Sequence, residues 1–381
     1  MILAKKNGPA GAVFALAIAA IVLIVAASAR AMPRSGAPEA AAPQRVIEFP
    51  ASSVGQIAPA VQGQWDYFER VGAEMPARGQ VQFPADARSI LYVNRYGAQH
   101  LEFLQKLKSN DLNAVRIEFG TFGEEGLNDA GISHIAHLSA LEELWMPSAD
   151  ATDQTMTAVI AKLPDLRSLS LEGTMITSAN TKVLSKLNKL NFLSLSFTRI
   201  NDATMKDIEN LTDLRSLQLR HTFITTDGVK LLRKLVLLRD LNLSGNKIRN
   251  AALIALPFLP KLHVLSLSDT YVSDLGVACV AKFPNLQILD LMNCDISKTG
   301  LRSLTQLRKL KFLNIAGSTF TGQDLKVLQR LPCLNELKLS LPDDRLAALR
   351  KDLPRCKITV DNHHSNLNRD QLPLELFRPL H

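Results

Sequence analysis

From Leu141 onward the chain repeats one spacing of apolar and polar positions, Leu-x-x-Leu-x-Leu. It starts at Leu141 (with Met146 in the third place), Leu166, Leu190, Leu214, Leu238, Leu262, Leu286, Leu310 and Leu334, an interval of 25 residues followed by seven of 24. A degenerate earlier copy reads Leu112-x-x-Val115-x-Ile117, followed by a Gly-rich stretch at 120–131, and a half-copy closes the series at Cys356–Val360. Period two within Leu-x-Leu predicts a short strand with both leucines on one side. The next apolar cluster, such as Val229, Leu232 and Leu235, has helical spacing. One unit is therefore a strand and a helix. Alone it buries neither face, but stacked on its neighbours it buries both, which predicts an α/β solenoid of about nine to ten 24-residue repeats over residues 112–360, with a curved parallel sheet inside and helices outside.

Three residues past the second inward leucine stands a small residue, usually polar: Thr174, Thr198, Thr222, Asn246, Thr270, Cys294 and Ser318. The chain turns there, and a small polar side chain satisfies backbone groups trapped between rungs. Two places on, Ile176, Ile200, Ile224, Ile248, Val272, Ile296 and Phe320 return to the core.

These units resemble leucine-rich repeats. Endings such as Thr222-Phe223-Ile224-Thr225-Thr226-Asp227-Gly228 and Thr270-Tyr271-Val272-Ser273-Asp274-Leu275-Gly276 are similar to the ribonuclease-inhibitor-like and cysteine-containing types. No F-box-like segment precedes them, so the chain is more similar to anchored or exported bacterial proteins that carry this repeat. The resemblance implies a binding surface and no particular chemistry.

Outside the repeats the pattern changes. Residues 1–9 with Lys5 and Lys6 read as a cytoplasmic n-region, and the apolar run 10–29 as either a transmembrane helix or a cleaved signal, with Ala27-Ser28-Ala29 and Ala29-Arg30-Ala31 as cleavage candidates. Either places the repeats outside the cytoplasm, anchored to the membrane or secreted and periplasmic. The Pro- and Ala-rich segment 30–55 reads as a linker. Residues 56–111 read as an N-terminal cap of the solenoid, with strands at 80–84 and 89–94, a helix over 97–108, and Trp65, Tyr67 and Phe68 in its body. Residues 361–381 read as a loosely ordered tail.

Charge changes the picture little. The chain carries 44 Lys and Arg against 36 Asp and Glu, a formal +8, and the basic residues fall mainly on outer helices, which makes nucleic acid an unlikely partner. Its four cysteines do not make a disulfide scaffold and read as small apolar or polar fillers, with a Cys333 to Cys356 bond as the minor alternative. We expect a monomer.

Candidate binding residues lie where the leucine grid leaves freedom. One outward place per strand holds Trp145, Gln218, Asn242 and Asp290 among smaller polar residues, and Phe197, Arg220, His221 and Asp269 run beside it. Aromatic and Arg side chains on an open face suit a protein interface. Phe192, Val264, Ile288 and Phe312 are read more simply as packing along the sheet edge. A basic outer face, Lys230, Arg233, Lys234, Lys247 and Arg249 with Arg239, suits an envelope polymer or anionic lipid, or is a plain solvated surface.

Catalysis finds little support. His134 and His137 with Asp129 make a weak metal constellation, Asp150 and Asp153 read as turn or cap residues like the Asp343-Asp344 pair, and His363, His364 and His381 fall in the tail. Neither Gly-x-Ser-x-Gly, a phosphate loop nor Cys-x-x-Cys occurs. Asp66, Glu69, Asp86 and His100 of the cap show no convergence. The expected role is partner binding by an exported or anchored repeat protein, without cofactor. The alternatives are a structural envelope component held by its basic face, and, last, an enzyme built on the cap.

Overall fold

The alternation of inward leucines with outward polar residues becomes, in the computed structural model, one continuous sheet. Residues 43–63, 68–117 and 127–361 are described, all within a single unit, Pro43–His381. The cap contributes β1 (Gln44–Glu48), β2 (Gly55–Gln62), β3 (Phe68–Arg70), β4 (Met75–Pro76), β5 (Gln80–Pro84) and β6 (Arg88–Val93). The repeats contribute β7 (Ala114–Ile117), β8 (Glu143–Trp145), β9 (Ser168–Ser170), β10 (Phe192–Ser194), β11 (Ser216–Gln218) and β12 (Asp240–Asn242). They continue through β13 (Val264–Ser266), β14 (Ile288–Asp290), β15 (Phe312–Asn314), β16 (Glu336–Leu339) and β17 (Lys357–Val360).

Strands β6 to β17 pair in parallel and in sequence order, so each rung lies beside its chain neighbours. The register aligns equivalent residues, as in Leu193 beside Leu169 and Leu217. Between strands the outer side carries short helical pieces, such as the α-turn Thr226–Lys230 running into the 3₁₀ turn Leu231–Lys234. Thr181–Lys186 is 3₁₀ throughout. A 24-residue unit leaves little chain for a long helix, and the slimmer 3₁₀ turn suits short connections.

The grid leucines form the core. Leu141 through Leu310 of the series are fully buried, and so are their strand partners such as Leu169, Leu171, Leu193 and Leu195. Between rungs runs the polar ladder. Thr174, Thr198, Thr222 and Thr270 donate their hydroxyls to the carbonyls of Leu171, Leu195, Leu219 and Leu267 at 2.5–2.9 Å. Asn246 does most: its Nδ2 donates to Leu219 and Leu243 carbonyls, while its Oδ1 accepts from Thr222 N–H and Oγ1. Cys294 Sγ donates to Leu267 O, and Ser318 Oγ to Cys294 O.

A second ladder runs along the helix N-termini. The first-turn Asp of one rung accepts from the backbone N–H and hydroxyl at the start of the next: Asp129 from Thr152, Asp153 from Thr177, Asp202 from Thr225, and Asp274 from Ser297. The approach is close enough that a Cβ on Gly228 would stand 2.3 Å from Asp202 Oδ1, so this rung requires glycine there.

Several expectations are corrected. The described residues form a capped repeat solenoid, and they supply no helix of the transmembrane or signal kind expected over 10–29. That segment lies outside the described residues, and among those no helix is long and apolar enough to cross a membrane. The ordered cap begins at Gln44, inside the 30–55 segment read as linker, because Ile47 and Phe49 are core residues and β1 pairs antiparallel with β5 in a sheet of their own. The helix expected over 97–108 is two pieces, Arg95–Gln99 and Leu101–Lys106. Cys333 and Cys356 are both free thiols. Trp65, Tyr67, residues 1–42 and the tail beyond Asp361 lie outside the described residues.

The ladder makes a stability prediction. Asn246→Leu strands the Leu243 carbonyl and the Thr222 N–H and should cost about 2–3 kcal/mol, against about 1 kcal/mol for Thr198→Val, which loses one bond. Urea unfolding followed by circular dichroism reads both. Equal, negligible costs would remove the ladder from the account.

Candidate functional site

On each short strand the residues flanking the buried middle leucine face the concave side, and the parallel register sets them in columns. The N-terminal end of this face is filled by the chain itself. Phe68 of β3 packs with Ala58, Ala60, Ile90 and Ala114 in a small apolar cluster separate from the leucine core. Its backbone is clamped by a buried ion pair: Arg116 Nε lies 2.6 Å from Glu143 Oε1, Glu143 Oε2 accepts Phe68 N–H at 2.8 Å, and Arg116 Nη2 donates to Phe68 O at 2.8 Å. The Arg116 guanidinium sits 4.2 Å from the Trp145 ring centroid, and Trp145 stacks on Phe192 at 5.4 Å and donates Nε1–H to Ser168 Oγ. Trp145 and Phe192 thus finish the cap end, away from the other candidates.

The open part of the face follows. At the turn after each strand one residue per rung takes a left-handed backbone: Ser148, Gly173, Phe197, His221, Gly245, Asp269, Asn293 and Gly317. For Phe and His such a conformation is uncommon and strained. Their side chains project along this rim. Phe197 and His221 stack at 4.8 Å, and the Arg220 guanidinium lies over the same Phe197 ring at 5.2 Å. The next rung has glycine because a Cβ on Gly245 would come 2.3 Å from His221 Nδ1. Further on, Asn293 Nδ2 donates to Asp269 Oδ1 at 2.7 Å. Burial, with Arg220 beside it, lowers the His221 pKa to about 4, so its ring is neutral at neutral pH.

Carboxylates occupy the floor. Asp240 accepts from Gln218 Nε2 at 2.8 Å and Ser216 Oγ at 3.2 Å, and burial still pushes its pKa up to about 6. Asp290 Oδ1 accepts Met292 N–H at 3.0 Å, and burial pushes it up to about 6 as well, with Asp269 adding to the rise and Arg220 and Lys338 opposing it. Glu172 is likewise raised by burial, despite Ser194 and Arg220. Asn242 Oδ1 turns back onto Ser244 N–H at 3.0 Å.

Of the residues singled out from sequence, Phe197, Arg220 and His221 come together, Asp269 and Asp290 belong to the same electrostatic neighbourhood, and Gln218 and Asn242 serve in local hydrogen bonds. Trp145 belongs to another patch. Glu172, Asp240 and the Arg116–Glu143 pair were missed. Asp240 was detectable as a carboxylate in the column where neighbouring rungs carry Ser216 and Val264.

The basic outer face is largely spent on its neighbours. Lys230 pairs with Asp227 at 2.7 Å, Arg233 and Lys234 with Glu209 at 3.9 and 3.1 Å, and Arg249 lies over Tyr271 at 4.9 Å, leaving Lys247 exposed. The histidine constellation dissolves too. Asp129 is bound to Thr152 and Thr155, while the His137 ring nitrogens lie 3.1 Å from His134 O and 3.0 Å from Leu107 O. Among the described residues no group of three or more His, Cys, Asp or Glu is placed to hold a metal ion.

The class defined by this geometry is a repeat solenoid with an open concave face. The chain belongs to the leucine-rich repeat region family, which matches residues 124–362. No curated protein matches it. Among solved structures it is similar to an internalin (inlF) from Listeria monocytogenes str. 4b F2365, with 20% identity over 68% of this chain and 82% of that one and a TM-score of 0.43. It is also similar to the plant peptide hormone receptor RGFR1 in complex with RGF2, with 16% identity over 58% of this chain and 36% of that one and a TM-score of 0.39.

The floor carboxylates predict an inverted pH response. Asp240 and Asp290 ionise near 6 in the fold against an ordinary 3.8. Above pH 6 the folded chain therefore holds charges it has desolvated. Their contribution to stability rises as pH falls through 6 and levels off below the ordinary carboxylate range. Asp240→Asn and Asp290→Asn should each stabilise by about 1–2 kcal/mol at pH 8, and the gain should fade towards pH 4. Thermal melts across that range check the sign, and a loss of stability at pH 8 would refute the account.

Proposed function

We propose that this chain is a binding scaffold that holds a protein partner on the open part of its concave face, between β9 and β15. The observation that supports this most is the Phe197, Arg220 and His221 stack, held on a strained backbone and ringed by desolvated carboxylates. Two aromatic-type rings and an Arg on a rigid floor are the anchors a protein interface uses. The leucine core accounts for the stability of the solenoid without them, and no catalytic constellation accompanies them. The outer basic face offers less, since Lys230, Arg233 and Lys234 already have carboxylate partners, and we do not propose retention through it.

We place this binding outside the cytoplasm in an exported form, on the signal-like composition of residues 1–31 alone. Mass measurement of the mature chain would show removal of the segment ending at Ala29 or Ala31, and an intact N-terminus would refute it.

The binding reading is tested by capture from an extract of the native cells, with the parent chain beside Phe197→Ala/Arg220→Ala. A discrete partner retained by the parent and lost by the variant, with unchanged circular dichroism, is the expected result. Equal capture by both would remove the concave face from the interface.

A further inference from the structure

On a chain of formal charge +8 the open concave floor has the opposite sign. Glu172, Asp240, Asp269 and Asp290 face two cations, Arg220 and, at Asp290, Lys338, and His221 beside Arg220 is neutral. The ion pairs of this face lie at its two ends, Arg116 with Glu143 and Lys357 with Glu336. In between, hydrogen bonds reach the carboxylates from Ser194, Ser216, Gln218, Asn293 and the Met292 backbone, with Arg220 and Lys338 the cations that act on them.

A second observation points the same way. Ser244 stands two places beyond Asn242 and four beyond Asp240, on the same side of the strand, and is fully buried with no hydrogen-bond partner for its Oγ. An orphan hydroxyl at this depth is costly, and with the desolvated carboxylates it counts among the polar groups this face leaves short of partners. Asp240 and Asp290 are two rungs and two strand positions apart, about 12 Å at the spacings of parallel strands, so one extended segment laid obliquely along the solenoid meets both.

Resting on the concave-face reading above, we propose that the partner segment recognised there is cationic, presenting Arg or Lys side chains to Glu172, Asp240 and Asp290 while its apolar part packs on the Phe197 and His221 rings. Ammonium and guanidinium groups bring donors only, which matches a floor of acceptors. The charge of the whole chain opposes such a ligand, so affinity for it has to come from this face.

The test is fluorescence anisotropy of the full chain with two labelled peptides, one alternating Arg and Ser, the other with Glu in place of Arg. The Arg peptide should bind, should weaken by about tenfold or more in Asp240→Asn/Asp290→Asn, and should be unaffected by Asp227→Asn on the outer face. Both floor variants are expected to be more stable than the parent, so unfolding does not mimic the loss. An Arg peptide bound equally by the floor variant overturns the proposal. A Glu peptide preferred, and lost in Phe197→Ala/Arg220→Ala, overturns the cationic assignment while the concave reading stands. Indifference of both peptides to every concave substitution overturns the two together.

Discussion

Stacking one rung on the next is possible only because the turn after each strand is hydrogen-bonded from inside. Leucine burial supplies most of the driving force, but it is non-directional and would accept many offsets between rungs. The column from Thr174 to Ser318 is directional. Thr198 binds the Leu195 carbonyl within its own rung, while Asn246, Cys294 and Ser318 reach back to the rung before, so the column fixes turns within rungs and ties several rungs to their predecessors. Without these bonds every added rung would bury unpaired carbonyls, at a cost that grows with the number of repeats.

The helix side repeats the same logic with charge. Asp153 on Thr177, Asp202 on Thr225 and Asp274 on Ser297 each cap a neighbour's helix start and not their own. Short helical pieces form few internal bonds and depend on such outside help. The two ladders lie three residues apart in the chain, as at Thr222 and Thr225, and together allow one offset between rungs. A fixed offset is what turns single side chains into columns, and columns are what make the concave face a surface.

What was legible in the sequence follows from that regularity. Inward leucines, the polar column and the returning isoleucines could be placed because a 24-residue period forces equivalent residues into equivalent environments. The cap was less legible, since β1 lies in a Pro-bounded segment and owes its existence to a partner, β5, more than thirty residues away. The Arg116–Glu143 clamp on Phe68 sits in the most degenerate copy and joins residues with no sequence relation. The left-handed column was half visible. Gly173, Gly245, Gly317, Asn293 and Asp269 are residues that tolerate it, whereas Phe197 and His221 in the same column hide the signal. Asp240 was hidden by its column, in which Phe192, Val264, Ile288 and Phe312 read as apolar packing along the sheet edge.

That same column explains how a monotonous scaffold acquires a particular site. A bulky residue in a left-handed turn costs roughly 1 kcal/mol or more, and the leucine core can absorb a few such costs. Phe197 and His221 take this conformation on consecutive rungs, which is what lets their rings stack. Gly245 then leaves the space the His221 ring occupies, and Gly317 does the same beside Asn293. The rim therefore rises twice, at Phe197 with His221 and at Asp269 with Asn293, with a glycine step between. Arg220, Asp240 and Asp290 lie on the floor these two rises border. The strain and the desolvated carboxylates fall in the same few rungs, where neither helps the solenoid stand. Two independent destabilising features in one place, on a scaffold stable without them, are what support the binding face proposed there.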